Sequence, residues 1–414
     1  MRELLGNRRY ALYLLSRVSL IIATQMLSVA VGWQVYEITG KALALGFSGL
    51  ALFLPGFVLA LPGGHVADRV DRRRILLVCH LGVTTSAATL ALLARSGVST
   101  LAPIYLVLAM LGTIRAFSGP AGQALMPNLV PREHLERAIA LGSSSWQLAM
   151  IAGPSLGGVI YAATRKASAV YTVCAVMAFI AFFAVFALGH VPTSADAKRR
   201  EPASLDTLFA GIRYVWSNKP ILGAISLDLF AVLLGGAVAL LPIFARDLLA
   251  IGPWGLGILR SAPAIGAATV AIILANRPIT RNAGRMMFFC VLLFGIATII
   301  FGVSKSFWVS LVALLVLGAS DMVSVVIRST LIQVRTPDEM RGRVSAVNMV
   351  FIGASNELGA FESGVAGQVL GPAGAVVLGG VATLGVAVGW WSLFPALRNV
   401  DRFPEREAEA APTV

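Results

Sequence analysis

The sequence predicts an all-α integral membrane protein, with twelve transmembrane helices in two pseudo-symmetric six-helix bundles. Three observations carry that expectation. Of 414 residues, 57% are hydrophobic and 13% charged, where a soluble domain carries about 25% charged, and the mean hydropathy is +0.82. Apolar runs of about 20 residues, long enough to cross a bilayer, recur along the chain. The two halves of the chain also repeat one another in residue order. A formal charge of +13 would suggest nucleic acid beside a soluble protein. Here no nucleic-acid partner is expected, because the inner loops of membrane proteins collect Lys and Arg.

Taken in order, the chain opens on a basic segment (Arg2, Arg8, Arg9) and an apolar run longer than a signal-peptide core. With no convincing cleavage site, that run reads as the first span. The expected spans are Tyr10–Tyr36, Leu43–Val66, Ile75–Leu93, Leu101–Leu125, Ala138–Tyr161 and Ala169–Val191, then Ile221–Phe244, Trp254–Ala275, Met286–Val303, Phe307–Leu331, Val344–Leu370 and Ala375–Leu397. Between the sets lies a linker, 192–218, with Lys198-Arg199-Arg200-Glu201-Pro202 followed by Leu205, Leu208, Phe209, Ile212 and Val215. That helical spacing predicts an amphipathic helix on the inner membrane surface. The division is therefore residues 1–191, a first six-helix bundle; 192–218, the linker; 219–397, a second bundle; and 398–414, a tail.

Basic residues set the orientation. One face collects the Arg69–Arg74 loop, Arg132, Arg137, Lys198–Arg200, Arg213, Lys219, Arg277, Arg281, Arg285, Arg335, Arg341, Arg343, Arg398, Arg402 and Arg406, whereas the other holds Lys41, Arg95, Arg165, Lys166, Arg246 and Lys305. The bias places both termini in the cytoplasm. Cys79, Cys174 and Cys290 fall inside apolar runs without a Cys-x-x-Cys pair, so neither a metal site nor a disulfide framework is indicated, and no cofactor is expected.

A constant offset lays Leu111-Gly112 over Leu317-Gly318, Leu125 over Leu331, and Pro131-x-Glu133-x-x-x-Arg137 over Pro337-x-Glu339-x-x-x-Arg343. It also lays Gly153 over Gly359 and Gly158 over Gly364, and a neighbouring offset places Ala67-Asp68-Arg69 over Ala275-Asn276-Arg277. Parallel six-span repeats build carriers with a site at the repeat interface near the midplane.

Ionisable side chains inside spans are costly and usually pair or face water. Spans 1, 4, 7 and 10 carry Arg17, Arg115, Asp228 and Asp321. The repeat sets Arg115 over Asp321, and Arg17 and Asp228 lie about 12 Å into their spans at 1.5 Å per residue. They serve either a polar site between the halves or helix-packing ion pairs, with Arg17 snorkelling to the inner surface. Arg328, two turns from Asp321 on nearly the same face, is a rival partner for it. Span 11 holds Ser355-Asn356-Glu357 and Glu362, and Glu357 is about 20 Å into it. Carboxyls away from water take up protons more readily, so Glu357, Asp321 and Asp228 are candidate proton carriers. The alternative for Glu357 is a protonated carboxyl bonded between helices, and Glu362 reaches toward the outer interface. In span 5, Gly153-Pro154-x-x-Gly157-Gly158 predicts a kinked helix in close contact with a neighbour.

The stretch Gly63–Arg74 joins spans 2 and 3. Its pattern Gly64-x-x-Ala67-Asp68-Arg69-x-x-Arg72-Arg73 resembles the signature loop of the major facilitator superfamily, with Asp71 where that family usually has glycine. The resemblance implies that spans 1, 4, 7 and 10 line a central cavity. It further implies that Asp68 caps the inner start of span 11 near Arg341 and Arg343, while Arg72 or Arg73 meets Glu133 or Glu136. These contacts would shut an inner gate in the outward-facing state, with an Arg69–Asp71 pair as competitor. The span 5 glycines resemble the antiporter motif of exporting branches, with Ala140 and Ala149 replacing two of its glycines.

Leu208–Tyr214 and Thr336–Arg343 resemble the bacterial branch containing the enterobactin exporter and macrolide efflux proteins. The likeness covers nearly the whole chain. It implies a monomeric secondary transporter of the bacterial inner membrane that exports a small amphipathic siderophore, drug or metabolite by proton antiport. Uptake by symport or uniport fits the same fold. A membrane enzyme is disfavoured because His65, His80, His134 and His190 form no His-Glu-x-x-His pattern, and a channel because the halves carry unlike charges. No Walker A sequence is present, against a fused ATP-driven pump.

Overall fold

The structure is a computed structural model that describes residues 6–97, 100–189, 191, 205–279 and 281–401. Among these, all regular structure is helical. Helix α1 (Arg8–Thr39) starts at Asn7, whose Oδ1 accepts from the Arg9 and Tyr10 amides, and stops at Gly40 in the left-handed region, φ 63°. The second expected span is two pieces, α2 (Ala42–Val58) and α3 (Ala60–Arg69), interrupted at Leu59 shortly after Pro55. Asp71 starts α4 (Arg72–Arg95) by accepting the Arg73 amide at 3.0 Å. Next come α5 (Ala102–Leu125), with Pro103 in its first turn, α6 (Leu135–Thr164) and α7 (Ala167–Phe186).

Helix α8 (Leu205–Ser217) occupies the place of the expected amphipathic helix. Val215 is buried beneath it, Phe209 and Trp216 are exposed, and the Tyr214 hydroxyl donates to the Arg335 carbonyl at 2.8 Å. Helix α9 (Lys219–Leu234) stops at Gly235 and Gly236, and a 3-10 turn (Ala237–Leu240) and a π turn (Phe244–Leu248) follow. The seventh expected span thus loses its regular helix near its end, where two glycines remove helix propensity. Helices α10 (Gly252–Asn276), α11 (Ala283–Val303) and α12 (Phe307–Arg335) follow the predicted runs. The last two expected spans form one path, α13 (Asp338–Leu393), that turns at Gly371 (φ 76°, ψ 161°) just before Pro372. Among the described residues nine helices are long and apolar enough to cross a membrane, with α13 counted once; α6 and the interrupted α2–α3 stand outside that set.

In the first half α1 packs on α6 and α7, α4 on α5 and α7, and α2 on α5. In the second half α12 packs on α10 and α11, and α13 on α9 and α11. The sequence repeat recurs in these contacts. Gly112 lies on the Leu52 carbonyl of α2, and its repeat mate Gly318 lies on the Pro263 carbonyl of α10. Gly153 meets Ile22 of α1, and its mate Gly359 meets Val232 and Leu233 of α9. Gly158 faces Gly257 of α10, and its mate Gly364 faces Gly46 of α2. Each mate contacts the equivalent helix of the other set, which is the pseudo-two-fold expressed in packing.

The halves meet through α6 on α10 and α2 on α13. The glycine contacts Gly158–Gly257 and Gly46–Gly364 lie toward the end remote from the chain termini, where the Tyr36 hydroxyl also bonds Asp247. Side chains at Gly158 or Gly364 would hold these helices apart. Gly158→Leu and Gly364→Leu are therefore expected to speed maleimide labelling of a Ser261→Cys probe several-fold. Ser261 is 1% exposed between α6 and α10, and the three native cysteines are buried. An unchanged labelling rate would show that these contacts do not seal that end.

Candidate functional site

Among the described residues an ion pair joins the halves near the middle of the helices: Arg115 Nη1 of α5 lies 3.5 Å from Glu357 Oε1 of α13. The Arg115 side chain is 73% exposed although it lies mid-helix and touches the other half, so it faces a water-accessible cavity; Glu357 is 23% exposed. Glu357 packs beside Gly49 of α2 and also feels the charge of Arg260 on α10. Arg260 Nη2 donates to Ser28 Oγ of α1 at 2.6 Å. Polar contacts continue the seam between α6 and α10. Gln147 donates to the Ala264 carbonyl at 2.8 Å, Ser155 and Ser261 lie 2.8 Å apart, and Ser261 donates to the Ile151 carbonyl at 2.7 Å. A carboxylate between two guanidinium groups, each helix half supplying one arginine, can exchange partners when a charged or polar group enters.

The second-half cluster is drier. Arg328 is 2% exposed and pairs with Asp228 of α9, which is 6% exposed. Asp321 sits within the fields of both groups. Arg328, the rival partner for Asp321, thus pairs with Asp228 while its charge still reaches Asp321, because α9 lies against the face of α12 that carries Arg328. Arg115 and Asp321 occupy equivalent places in the repeat but are not brought together; Glu357, on the helix that crosses between halves, takes Arg115. Arg17 rests beside Tyr13 and Gly142 on the terminal side of α1. There the Tyr10 and Tyr13 hydroxyls donate to the Ala138 and Gly122 carbonyls at 2.7 and 3.0 Å. Glu362 lies 3.5 Å from its neighbour Ser363.

The loop after α3 differs from expectation. Arg72 Nη1 donates to the Ala124 carbonyl at 2.8 Å, and Arg73 donates to the Val185 and Phe186 carbonyls at 3.1 and 2.7 Å while covering the Phe186 ring. The pairs expected with Glu133 or Glu136 are not formed by these arginines. The reason is the negative dipole ends of α5 and α7, whose last-turn carbonyls Ala124, Val185 and Phe186 lie within reach of the two guanidinium groups. Asp71 caps α4 and lies 3.9 Å from Arg74, so the Arg69–Asp71 competitor is absent as well. Gly64 and Arg69 lie in the last two turns of α3. The Asp68 side chain falls outside the described residues. Arg343 Nη1 approaches Met340 Sδ at 3.7 Å, and its backbone and that of Arg341 belong to the first turns of α13. In α6 the glycine motif bridges two neighbours: Gly153 and Gly157 meet Ile22, Gln25 and Met26 of α1, while Pro154 and Gly158 meet Gly257 of α10.

Sequence reasoning missed Arg260, Ser28 and the far-end polar contacts of Tyr36 with Asp247, Tyr161 with Glu37 at 2.9 Å and Tyr171 with Gln34 at 2.7 Å. Arg260 carried the same signal as Arg115, an arginine in mid-span. Ser28 carried none.

Two like sets of helices meeting around a water-facing ion pair define a membrane transporter of the major facilitator type. The family profile described as "Transmembrane secretion effector" matches residues 10–412, and the chain belongs to that major facilitator family. Among curated proteins, the "Enterobactin exporter EntS" of Escherichia coli (strain K12) is 26% identical over 94% of this chain and 92% of its own length. The protein of the same name from Shigella boydii serotype 18 matches at the same identity and coverage. Among solved structures, a POT family transporter in complex with a thioalcohol-conjugated peptide aligns with TM-score 0.73 at 12% identity, covering 94% of this chain and 96% of that one. A bacterial homologue of the iron transporter ferroportin in an inward-facing state aligns with TM-score 0.71 at 15% identity, covering 95% and 99%. At these identities the likeness to solved structures concerns fold alone.

The two ion pairs differ in burial and therefore in what their loss costs. Arg328→Ala leaves the buried Asp228 and Asp321 carboxylates without their counter-charge and is expected to destabilise the protein by about 3–5 kcal/mol. Arg115→Gln removes a solvent-facing partner and is expected to cost no more than ~1 kcal/mol. Thermal unfolding in detergent compares them; equal losses would refute the distinction.

Proposed function

We propose that the chain is a proton-coupled exporter of a small amphipathic molecule, a siderophore, drug or metabolite, in the bacterial inner membrane. Residues 1–191 and 219–397 act as two bundles joined by the 192–218 linker, with the 398–414 tail and both termini in the cytoplasm. The bundles rock about the site between them, and a single chain suffices.

The Arg115–Glu357 pair carries this reading. It spans the two bundles, faces water at mid-helix and has Arg260 on the other side of Glu357. A substrate group that engages Arg115 or Arg260 frees Glu357, and a free carboxyl in that setting takes up a proton. Substrate and proton then compete for one set of charges, which is what antiport requires. Asp321 and Asp228 are the further candidate carriers, and Arg17 and Arg328 complete the set of charged residues along the pathway. Export is supported by the description of the family and by the exporter relatives, and enterobactin is the substrate that the relatives' name states. In the arrangement described, glycine contacts and the Tyr36–Asp247 bond close the far end, in keeping with a cavity that loads from the side of the termini. In the opposite state, the loop residues Gly64, Asp68, Arg69, Arg72 and Arg73 would close on Glu133, Arg341 and Arg343. The α6 motif of Gly153, Pro154, Gly157 and Gly158 would serve as the pivot against α1 and α10.

The test is flux in liposomes that enclose a pH-sensitive dye, under an imposed gradient of siderophores, macrolides or cationic dyes, with Glu357→Gln and Asp321→Asn beside the parent. Proton movement opposite to substrate, lost at least tenfold in Glu357→Gln, is the expected result. Substrate movement without proton flux would make the protein a uniporter, and proton flux in the same direction as substrate would make it a symporter.

A further inference from the structure

The body of the second half contains a polar cleft separate from the ion pair between the halves. Asp228 of α9 and Asp321, Ser320 and Ser324 of α12 line it, and Val291 and Phe294 of α11 form its apolar wall. It has room for about one water-sized sphere. Two features of this cleft are unusual. The first is charge: two carboxylates share one guanidinium, since Arg328 pairs with Asp228 and also acts on Asp321. The cluster is one positive charge short in a region where unpaired charge is expensive.

The second feature is the serines. Ser320 and Ser324 are 3% and 2% exposed, and neither hydroxyl has a hydrogen-bond partner among protein groups. A hydroxyl inside a helix ordinarily returns its proton to the carbonyl one turn back. Thr298 does so to Phe294 at 2.9 Å and Thr330 to Val326 at 2.9 Å, in two of the three helices that border the cleft. Ser320 and Ser324 instead keep their oxygens unengaged beside two carboxylates.

We propose that this cleft is a monovalent-cation site and that its occupant is sodium. Four oxygen-bearing side chains line this one small cleft, the donor type of a hard cation. The charge deficit is a single unit, which a monovalent ion meets and a divalent ion overshoots. Among the described residues no group of three or more His, Cys, Asp or Glu side chains comes together for a tighter metal site. A proton on Asp321 would balance the charge equally, and titration with sodium separates the two occupants. A cation draws on both hydroxyls and both carboxylates at once. Bound there, sodium ties α9 to α12 inside one half and leaves the proton of the transport reading to Glu357. The assignment removes Asp228 and Asp321 from the candidate proton carriers while leaving the role of Glu357 untouched, and its test needs no substrate.

Purified protein in detergent, held at constant ionic strength with choline chloride, is titrated with radiolabelled sodium in a proximity assay while thermal stability is followed in parallel. Saturable binding of one ion per chain and a rise in melting temperature with sodium but not choline are expected. Ser320→Ala and Ser324→Ala should each weaken binding roughly tenfold, as loss of a supporting ligand group does at other ion sites. Both variants should be at least as stable as the parent without sodium, because each deletes an unengaged hydroxyl. Asp321→Asn should abolish binding, and Glu357→Gln should leave it unchanged. Absence of saturable binding in the parent, binding that survives both serine changes, or potassium binding as tight as sodium would overturn the assignment. The serine variants keep charge and fold intact, so the test does not depend on Asp321→Asn remaining folded.

Discussion

In a bilayer, an apolar side chain gains little by exchanging lipid for protein, so the attraction that packs a soluble core is missing. What holds these helices together is close approach. At Gly112, Gly318, Gly153, Gly359, Gly158 and Gly364 the backbone of one helix lies where a Cβ would otherwise stand. Such contact draws many atoms into van der Waals range, and each pair contributes only ~0.1–0.2 kcal/mol, so the geometry has to be repeated to count. It is repeated, in equivalent pairs in both halves. Two of those glycines, Gly158 and Gly364, spend the same device on joining the halves to each other, and every polar feature of the interface is set by how near α6–α10 and α2–α13 can come.

Charge inside this frame follows two regimes. Arg328 and Asp228 are sealed, and their pairing is a condition of folding. Arg115 and Glu357 are wet and span the halves, so their pairing is cheap to form and cheap to break. A carrier needs the second kind at its moving interface and the first kind inside the bodies that move. Arg72 and Arg73 show a third use, with guanidinium groups placed on the last-turn carbonyls of α5 and α7, where they meet the negative ends of the helix dipoles.

Much of the frame was legible in residue order. Apolar runs located the helices because hydrocarbon thickness fixes their length, and the glycine and Leu-Gly repeats announced contacts that the structure then places in equivalent positions. The interruptions were less legible. Gly235-Gly236 lies inside an unbroken apolar run, so hydropathy alone reads helix where α9 stops. The site was half legible. A charged residue in mid-span is visible in any hydropathy reading, which is how Arg115, Asp228, Asp321, Arg328 and Glu357 were found, and Arg260 shared the signal. Partnership was not visible, because it depends on rotation and crossing. The repeat sets Arg115 and Asp321 in equivalent positions but names no partner for either, and the crossing of α13 between the halves brings Glu357 to Arg115. Glu133 and Glu136 lost Arg72 and Arg73 to backbone carbonyls, acceptors that every sequence contains and none displays.

Helix α13 folds back at Gly371 with a single residue out of helical geometry and Pro372 immediately after. Among the described connections, α1 and α2 are joined by a turn at Gly40, and α11 and α12 by a short non-helical stretch between Val303 and Phe307. The two limbs of α13 have no slack between them. The limb that carries Glu357 and presses Gly364 against Gly46 is thus rigidly spliced to the limb that carries Thr383, whose hydroxyl reaches the Ala231 carbonyl of α9 at 3.2 Å. Helix α9 therefore meets both limbs, at Val232 and Leu233 through Gly359 and at Ala231 through Thr383, so a tilt imposed at the interface bears on it from two sides.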